Sequence, residues 1–371
     1  MRVSKTILLF SLCIDTTEGV LTLSFNYETQ WIMIKIKYVY VIFLFLFLVA
    51  CHDRAPKESC NKYVNPLKTT DSVALSVADP FVYKFDGLYY LTGTTSLPDG
   101  VGFAYYTSKD LITWEYKGAL YRKPENHIGS HAFWAPEVEY YKGKFYMTYS
   151  CYVEKRGLML TCLAVSEKPG GPFVDLYTPW FDLGYSAIDA DIFVDDDGTP
   201  YVYYSKNRIQ ETLAVGELYA ARLATDLSRL DGDPVFISEA SQSWEKVNWD
   251  RNRCNEGAYV FKRNGIYYMT YSANDTGYEH YGIGVARSKK PLGPWTKSLT
   301  NPLVTTDLSK GISSPGHNSI VEEPDGRLWM IYHRHADPYC QKPNWDRVVC
   351  MDRLSFDEQG ELQIEESCSS Q

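Results

Sequence analysis

The feature that most limits what this chain can fold into is a β-hairpin phrase that returns five times. It is plainest at Asp189–Gly198, Asp-Ala-Asp-Ile-Phe-Val-Asp-Asp-Asp-Gly, where a strand-like alternation ends in an acidic turn. A second β-rich run, Thr199–Ser205, leaves on the other side, and an Asp/Gly turn between two such runs is a hairpin signature. The phrase recurs at Asp79–Thr95, Pro136–Ser150, Gly257–Ser272 and Asn318–His333. Its turn glycines are Gly87, Gly143, Gly198, Gly265 and Gly326, spaced 56, 55, 67 and 61 residues apart. One hairpin per near-regular period marks a repeat architecture, and four-stranded propeller blades use about 40–50 residues or more each. The expected fold is all-β, a five-bladed β-propeller with four antiparallel strands per blade.

The same alignment locates the chemistry. Eight or nine residues before each turn glycine stand Asp79, Trp134, Asp189, Glu256 and His317. Four of these five are ionisable, in strand starts that are otherwise apolar. In a propeller the first strand of each blade lines the axis, so equivalent positions converge. Two aspartates, a glutamate and a histidine around one spot make a carboxylate acid/base site.

Residues 71–371 read as one domain. Runs of Tyr, Val, Ile and Thr at period two dominate, as in Leu88–Thr94, Lys144–Ser150, Tyr201–Ser205 and Ile266–Ser272, and helical periodicity is almost absent. The net charge of −9 comes without any basic cluster, which argues against nucleic acid. The phrases that end in Trp114, Phe173 and Trp295 read as tight turns into outer strands, with a structural role for the aromatic.

The N-terminus reads as a leader, residues 1–51, with Met33 as an alternative start. Lys35 and Lys37 precede an apolar run, Tyr38–Ala50, too short to span a bilayer and suited to a signal peptide. Leu48-Val49-Ala50-Cys51 resembles the lipobox of bacterial lipoproteins, in which the cysteine is lipidated. The expectation is a monomer in the bacterial cell envelope, touching membrane only through a lipid on Cys51, with residues 52–70 as linker. Beyond Cys13 and Cys51, seven cysteines remain. Cys151/Cys162 and Cys340/Cys350 are candidates to bridge neighbouring strands, the alternative being free thiols. No CxxC pair or Cys/His spacing suggests zinc.

Five phrases taken together resemble glycoside hydrolase family 43. They are Val-Ala-Asp79-Pro-Phe, Phe-Trp134-Ala-Pro-Glu, Ala-Ile-Asp189-Ala-Asp-Ile-Phe-Val-Asp-Asp-Asp-Gly, Asn-Glu256-Gly-Ala-Tyr and Pro-Gly-His317-Asn-Ser. The resemblance runs from about Asp71 to the C-terminus. It implies a five-bladed propeller and inverting hydrolysis, mostly of α-L-arabinofuranosides and β-D-xylosides. It implies Asp79 as general base, Glu256 as general acid, and Asp189 as the residue that orients the acid and tunes its pKa. It makes His317 an axial histidine beside a cation such as calcium, held through water; no cofactor is required. Ala190 and Ala258 stand where the family usually has proline.

Inversion needs one carboxylate to activate water and one protonated carboxyl to donate to the leaving oxygen, about 6.5–9.5 Å apart. A neighbouring carboxylate raises the acid's pKa, so Asp189 beside Glu256 fits the scheme. Other readings stand beside these. Trp134 is either core or a platform for substrate, and His317 is either a substrate-site residue or a satisfied core histidine. Asp191 and Asp195–Asp197 read as turn and strand-end residues, and an EF-hand is excluded by spacing. His333 and His335 read as lying near the rim of the fifth blade, without a role. The functional alternatives are the same fold acting on a galactofuranoside or cleaving arabinan internally, and a propeller lectin that binds sugar without cutting it.

Overall fold

The computed structural model describes strand backbone at 10–15, 20–27 and 30–37, and residues 63–210 and 212–365. The chain divides into two units, Met1–Lys62 and Tyr63–Gln371. In the first, β1 (Phe10–Asp15), β2 (Val20–Tyr27) and β3 (Gln30–Lys37) form an antiparallel sheet in that order. The apolar run expected as signal peptide and the lipidation candidate Cys51 lie outside the described residues.

The regular structure of the second unit is almost all strand. β4 (Lys68–Thr69) pairs with the last strand of a meander made by β5 (Ala78–Phe85), β6 (Leu88–Thr94), β7 (Gly102–Ser108) and β8 (Thr113–Arg122). A second meander runs through β9 (His131–Tyr141), β10 (Lys144–Val153), β11 (Leu158–Ser166) and β12 (Val174–Tyr177). The third holds β13 (Ser186–Val194), β14 (Pro200–Gln210), β15 (Leu213–Arg222) and β16 (Val235–Ser238). The fourth holds β17 (Asn252–Arg263), β18 (Ile266–Ala273), β19 (Gly282–Ser288) and β20 (Thr296–Lys297). The fifth holds β21 (Gly316–Glu322), β22 (Leu328–His335), β23 (Arg347–Phe356) and β24 (Leu362–Ile364). A short parallel pairing of β15 with β17 links the third and fourth meanders. The described helices are two single 3-10 turns, Ser243–Lys246 and Leu308–Lys310.

The hairpins form where the sequence places them, and their turns explain the glycines. Asp86-Gly87, Lys142-Gly143 and Asn264-Gly265 all have positive φ at both positions. That is the two-residue turn whose twist matches flanking strands. The apolar cores lie between successive meanders. Phe81, Phe103, Phe145 and Tyr149 join the first to the second, and Leu163, Ala187 and Ile192 the second to the third. Tyr203, Ala258 and Met269 join the third to the fourth, and Ile283, Ile320 and Met330 the fourth to the fifth. Val82, Leu91, Trp114, Val321, Ile331 and Met351 then join the first to the fifth. Each large side chain fully buried this way contributes about 1.5–3 kcal/mol.

Two expectations change. The segment 63–70 is not linker: Leu67 is buried, its N–H donates to Val349 O at 2.8 Å, and Asn65 bonds both backbone groups of Met351. It clasps the third strand of the last meander. Neither cysteine pair is bridged. Cys151 faces Leu160 and Cys162 faces Tyr149, so the thiols are diagonal neighbours in contact at 3.7 Å, and both are free. Cys350 is buried mid-strand opposite Tyr332 while Cys340 sits in the preceding loop, and these are free too.

Candidate active site

Each meander's first strand breaks register at the same place. The breaks lie between Ala78 and Phe81, Trp134 and Glu137, Ile188 and Asp191, Glu256 and Tyr259, and Gly316 and Ser319. At each break one residue takes the left-handed conformation: Asp79 (φ 50°), Ala135 (44°), Asp189 (54°), Gly257 (56°) and His317 (47°). A bulge of this kind re-aims side chains, and a non-glycine residue in it costs about 1–3 kcal/mol. Glycine at 257 has a packing reason as well, since a Cβ there would meet the His317 ring at 3.2 Å. Glu256 and Trp134 therefore sit one residue before the turn-point that Asp79, Asp189 and His317 occupy.

The strain is held by a relay between neighbours. Every second strand carries a side chain that grips the next meander's bulge. Thr94 Oγ1 accepts the Ala135 N–H at 2.8 Å, and Ser150 Oγ accepts that of Asp189 at 3.3 Å. Ser205 Oγ donates to Asn255 O at 3.1 Å, and Ser272 Oγ accepts the His317 N–H at 2.8 Å. His333 Nδ1 accepts the Asp79 N–H at 2.9 Å, which joins the fifth meander to the first.

Asp79, Asp189, Glu256 and His317 share one electrostatic centre. His317 Nδ1 lies 3.2 Å from Asp79 Oδ1, and Thr94 Oγ1 donates to Asp79 Oδ2 at 2.6 Å. Burial alone would raise the Asp79 pKa, but the charges of His317 and Arg347 and the Thr94 hydrogen bond outweigh it and hold the carboxylate below its usual range. About 19% of the Asp79 side chain stays exposed, so this end of the site is open. Glu256 goes the other way. Burial raises its pKa, and Asp79 adds to that, against hydrogen bonds from Cys254 Sγ (3.1 Å) and Tyr281 Oη (2.8 Å) and the charge of His317. Asp189 rises to about 7, first through burial, then through the charges of Glu256 and Asp79. Burial opposes a charge on His317, yet the three carboxyls lift its pKa above the ordinary value. An imidazolium among carboxylates is the result. The cause of Glu256's raised pKa is thus chiefly its burial, with Asp79 the carboxylate that adds to it, where sequence reasoning had put Asp189.

Sequence reasoning placed three residues wrongly. His333 is not at a rim. It is fully buried, its Nδ1 lies 3.4 Å from Asp79 Oδ1, and its ring stacks on Tyr281 at 5.9 Å. Burial and Arg347 drive its pKa well below 6.5, so it is neutral and free to accept the Asp79 N–H. His335 is likewise buried, with its Nε2 toward Thr276 O at 3.1 Å. Asp191 is no strand-end residue: it is buried within β13, where its Oδ2 accepts the Val260 N–H at 3.0 Å. Trp134 is 41% exposed, which removes the core reading. Trp114 and Phe173 are buried as structural aromatics, and Trp295 packs edge-on against Tyr203. Tyr281, Cys254 and Thr94 were missed; only Thr94 had a sequence signal, as the last residue of its strand.

Among the described residues one group brings three metal-type donors within 4.8 Å of one another, His127, Cys151 and Cys162. The His127 ring nitrogens are already engaged, Nδ1 by the Gly129 N–H and Nε2 by Tyr149 Oη, both at 2.9 Å. His317 belongs to no such group and turns its Nδ1 to Asp79, so the residues around it do not assemble a direct ligand set for calcium.

A model of the glycosyl hydrolases family 43 matches residues 70–362. The chain belongs to family 43. A thermostable family-43 glycoside hydrolase of known structure is 41% identical and superposes with a TM-score of 0.76, over 84% of this chain and 98% of that one. A β-D-galactofuranosidase of Aspergillus niger is 29% identical over 77% of this chain and 81% of its own length. A xylosidase/arabinosidase of Bacteroides ovatus is 27% identical over 77% of this chain and 94% of its own. As a family 43 member the chain is a glycosidase, hydrolysing O-glycosidic bonds.

Proposed function

We propose that this glycosidase is an inverting enzyme that removes terminal pentose residues, of α-L-arabinofuranosidase or β-D-xylosidase type, from plant-type glycans. The observation that supports this most is the opposite tuning of two carboxyls around one imidazolium: Asp79 lowered, Glu256 raised. A site whose environment pushes paired carboxyls apart has assigned a base and an acid. In this reading Asp79 is ionised and takes a proton from water as that water attacks the anomeric carbon. Glu256 holds its proton and donates it to the departing oxygen. Asp189 orients Glu256, His317 keeps Asp79 charged, and Trp134 offers an exposed ring face to the sugar. Family membership and the core joining the first and fifth meanders support closure into a five-bladed propeller. Likeness to the A. niger enzyme favours galactofuranosides as the second reading.

Proton NMR of the first-formed sugar tests the mechanism. The expected product has inverted configuration, and retention would remove the role given to Asp79. A panel of aryl arabinofuranoside, xyloside and galactofuranoside decides the sugar; no turnover of any, with sugar still bound, would make the protein a lectin. A calcium ion near His317 would have to be held through water, no step above depends on it, and calorimetric titration with calcium tests it. Lipidation of Cys51 and an envelope location remain part of the proposal, and Cys51→Ala should release the protein from the membrane fraction.

A further inference from the structure

A cavity of about 400 Å³ lies where β14 ends, β15 begins and β17 begins, the end of the sheets from which Glu256 enters the site. Its wall carries Arg208, Glu217, Glu239, Lys246, Trp249 and Arg253. Arg208 and Glu217 neutralise each other at 2.9 Å. Arg253 does something different. Its guanidinium lies over the Trp249 ring at 4.4 Å, and its Nε donates to Trp249 O at 3.0 Å. The Lys246 ammonium stands 5.1 Å from the same ring. Among the described residues neither cation has a carboxylate partner, and the terminal nitrogens of Arg253 have no acceptor.

An arginine fixed by one nitrogen and by an indole face, with its fork unspent, is pre-organised for a planar carboxylate. Stacking also removes much of the entropy that capture would cost. Arg253 stands three residues before Glu256, about 10 Å along an extended strand. That is the span of a short oligosaccharide reaching outward from the cleaved bond, and the volume lies in the range of small-ligand pockets, about 300–1,000 Å³. We propose that this cavity is a subsite for an acidic sugar: Arg253, with Lys246 beside it, takes the carboxylate of a uronic acid unit carried by the glycan whose terminal sugar is removed. Glu217 and Glu239 on the same wall disfavour ligands of higher negative charge. The proposal rests on the glycosidase reading of the neighbouring carboxyls and adds the substrate class.

The test compares two oligosaccharides with the same cleavable terminal residue. One carries a uronic acid unit beyond the cut bond, the other carries the neutral sugar obtained by reducing that carboxylate; a third arm carries a sulfate ester instead. The full chain should favour the acidic substrate in kcat/KM by about 10–100-fold at low salt, the worth of one charge-assisted contact. Arg253→Gln should erase that ratio and Lys246→Gln reduce it. Added salt should shrink it in the unaltered protein, which needs no variant to fold. Equal rates on acidic and neutral substrates, a preference untouched by both variants, or a preference for the sulfate ester would overturn the assignment. If neither oligosaccharide is cut, the assigned terminal sugar fails separately. Calorimetric binding of the uronic oligosaccharide then decides the subsite: binding lost in Arg253→Gln supports it, and no binding to the unaltered chain overturns it.

Discussion

Two carboxyl clusters share this molecule, and β13 contributes an aspartate to each. The first contains Asp79, Asp189 and Glu256. The second contains Glu137, Glu139 and Asp191, two residues along from Asp189. Burial raises carboxyl pKa values in both. In the second cluster every pKa moves up, led by burial: Asp191 to about 7, Glu139 to about 8, and Glu137 well above its ordinary value, with the other acids adding to it. One oxygen of Glu137 has no hydrogen-bond partner. In the first cluster the same burial is met by His317, Thr94, Tyr281 and Cys254, and the three carboxyls separate. Burial alone gives neutral acids. A charged imidazole and aimed donors hold one carboxyl below its ordinary range while its neighbours rise, and acid/base chemistry needs such a split.

Five substitutions test the contrast, in order of expected effect. Asp79→Asn removes the ionised partner and should lower kcat about 1,000-fold or more on every substrate with the fold intact. Glu256→Gln should cost about 100–10,000-fold on natural glycosides and far less on a dinitrophenyl glycoside, whose leaving group departs without a proton. Steady-state kinetics on both substrates checks the pair, and equal losses on the two would deny Glu256 the proton. His317→Gln takes away the leading charge that holds Asp79 down. The Asp79 pKa should rise, so the acidic limb of the kcat/KM profile should move to higher pH. Asp189→Asn removes one of two mutually repelling carboxyls, the one raised to about 7, so the alkaline limb should move to lower pH. The smallest kinetic effect is expected in the second cluster, where Glu137→Gln should leave the pH profile in place. Its signature is in stability instead. Carboxyls raised in the folded state stabilise fully below their unfolded values, and that stabilisation is lost as pH climbs toward about 7 for Asp191 and about 8 for Glu139. Thermal midpoints should decline over that window in the unaltered chain and decline less in Glu137→Gln. A collapse of turnover in a well-folded Glu137→Gln would erase the distinction between the clusters.

Much of this was legible in the sequence, for identifiable reasons. Hairpin turns depend on local chemistry, and Asp-Gly and Asn-Gly state it openly, so period and strand content could be read. The 67-residue gap between Gly198 and Gly265 marks where the chain makes the extra excursion around Ser243–Lys246. The bulges could not be read, because nothing in Ala-Asp79-Pro or Ile-Asp189-Ala announces a positive φ, and tertiary contacts impose it. Asp191 was misread because the acidic turn at Asp195–Asp197 lent it a solvated context, whereas β13 buries it. His333 was misread although a signal existed. Thr94, Ser150, Ser205 and Ser272 each pair, from the second strand, with the residue just before the bulge, and His333 stands in the place of a hydroxyl. Read down that column, it is the odd member of a set of hydrogen-bonding side chains.

That column has a consequence for how such a protein can be recombined. Each meander carries its own functional side chain but not the group that fixes it, which belongs to the meander before. Asp189 leans on Ser150, His317 on Ser272, and Asp79 on His333 at the far end of the sequence. A single meander transplanted from a relative would bring a correct carboxylate onto a foreign support and withdraw the support of its successor. The portable module is offset by half a repeat: it begins at one second strand and ends with the next first strand.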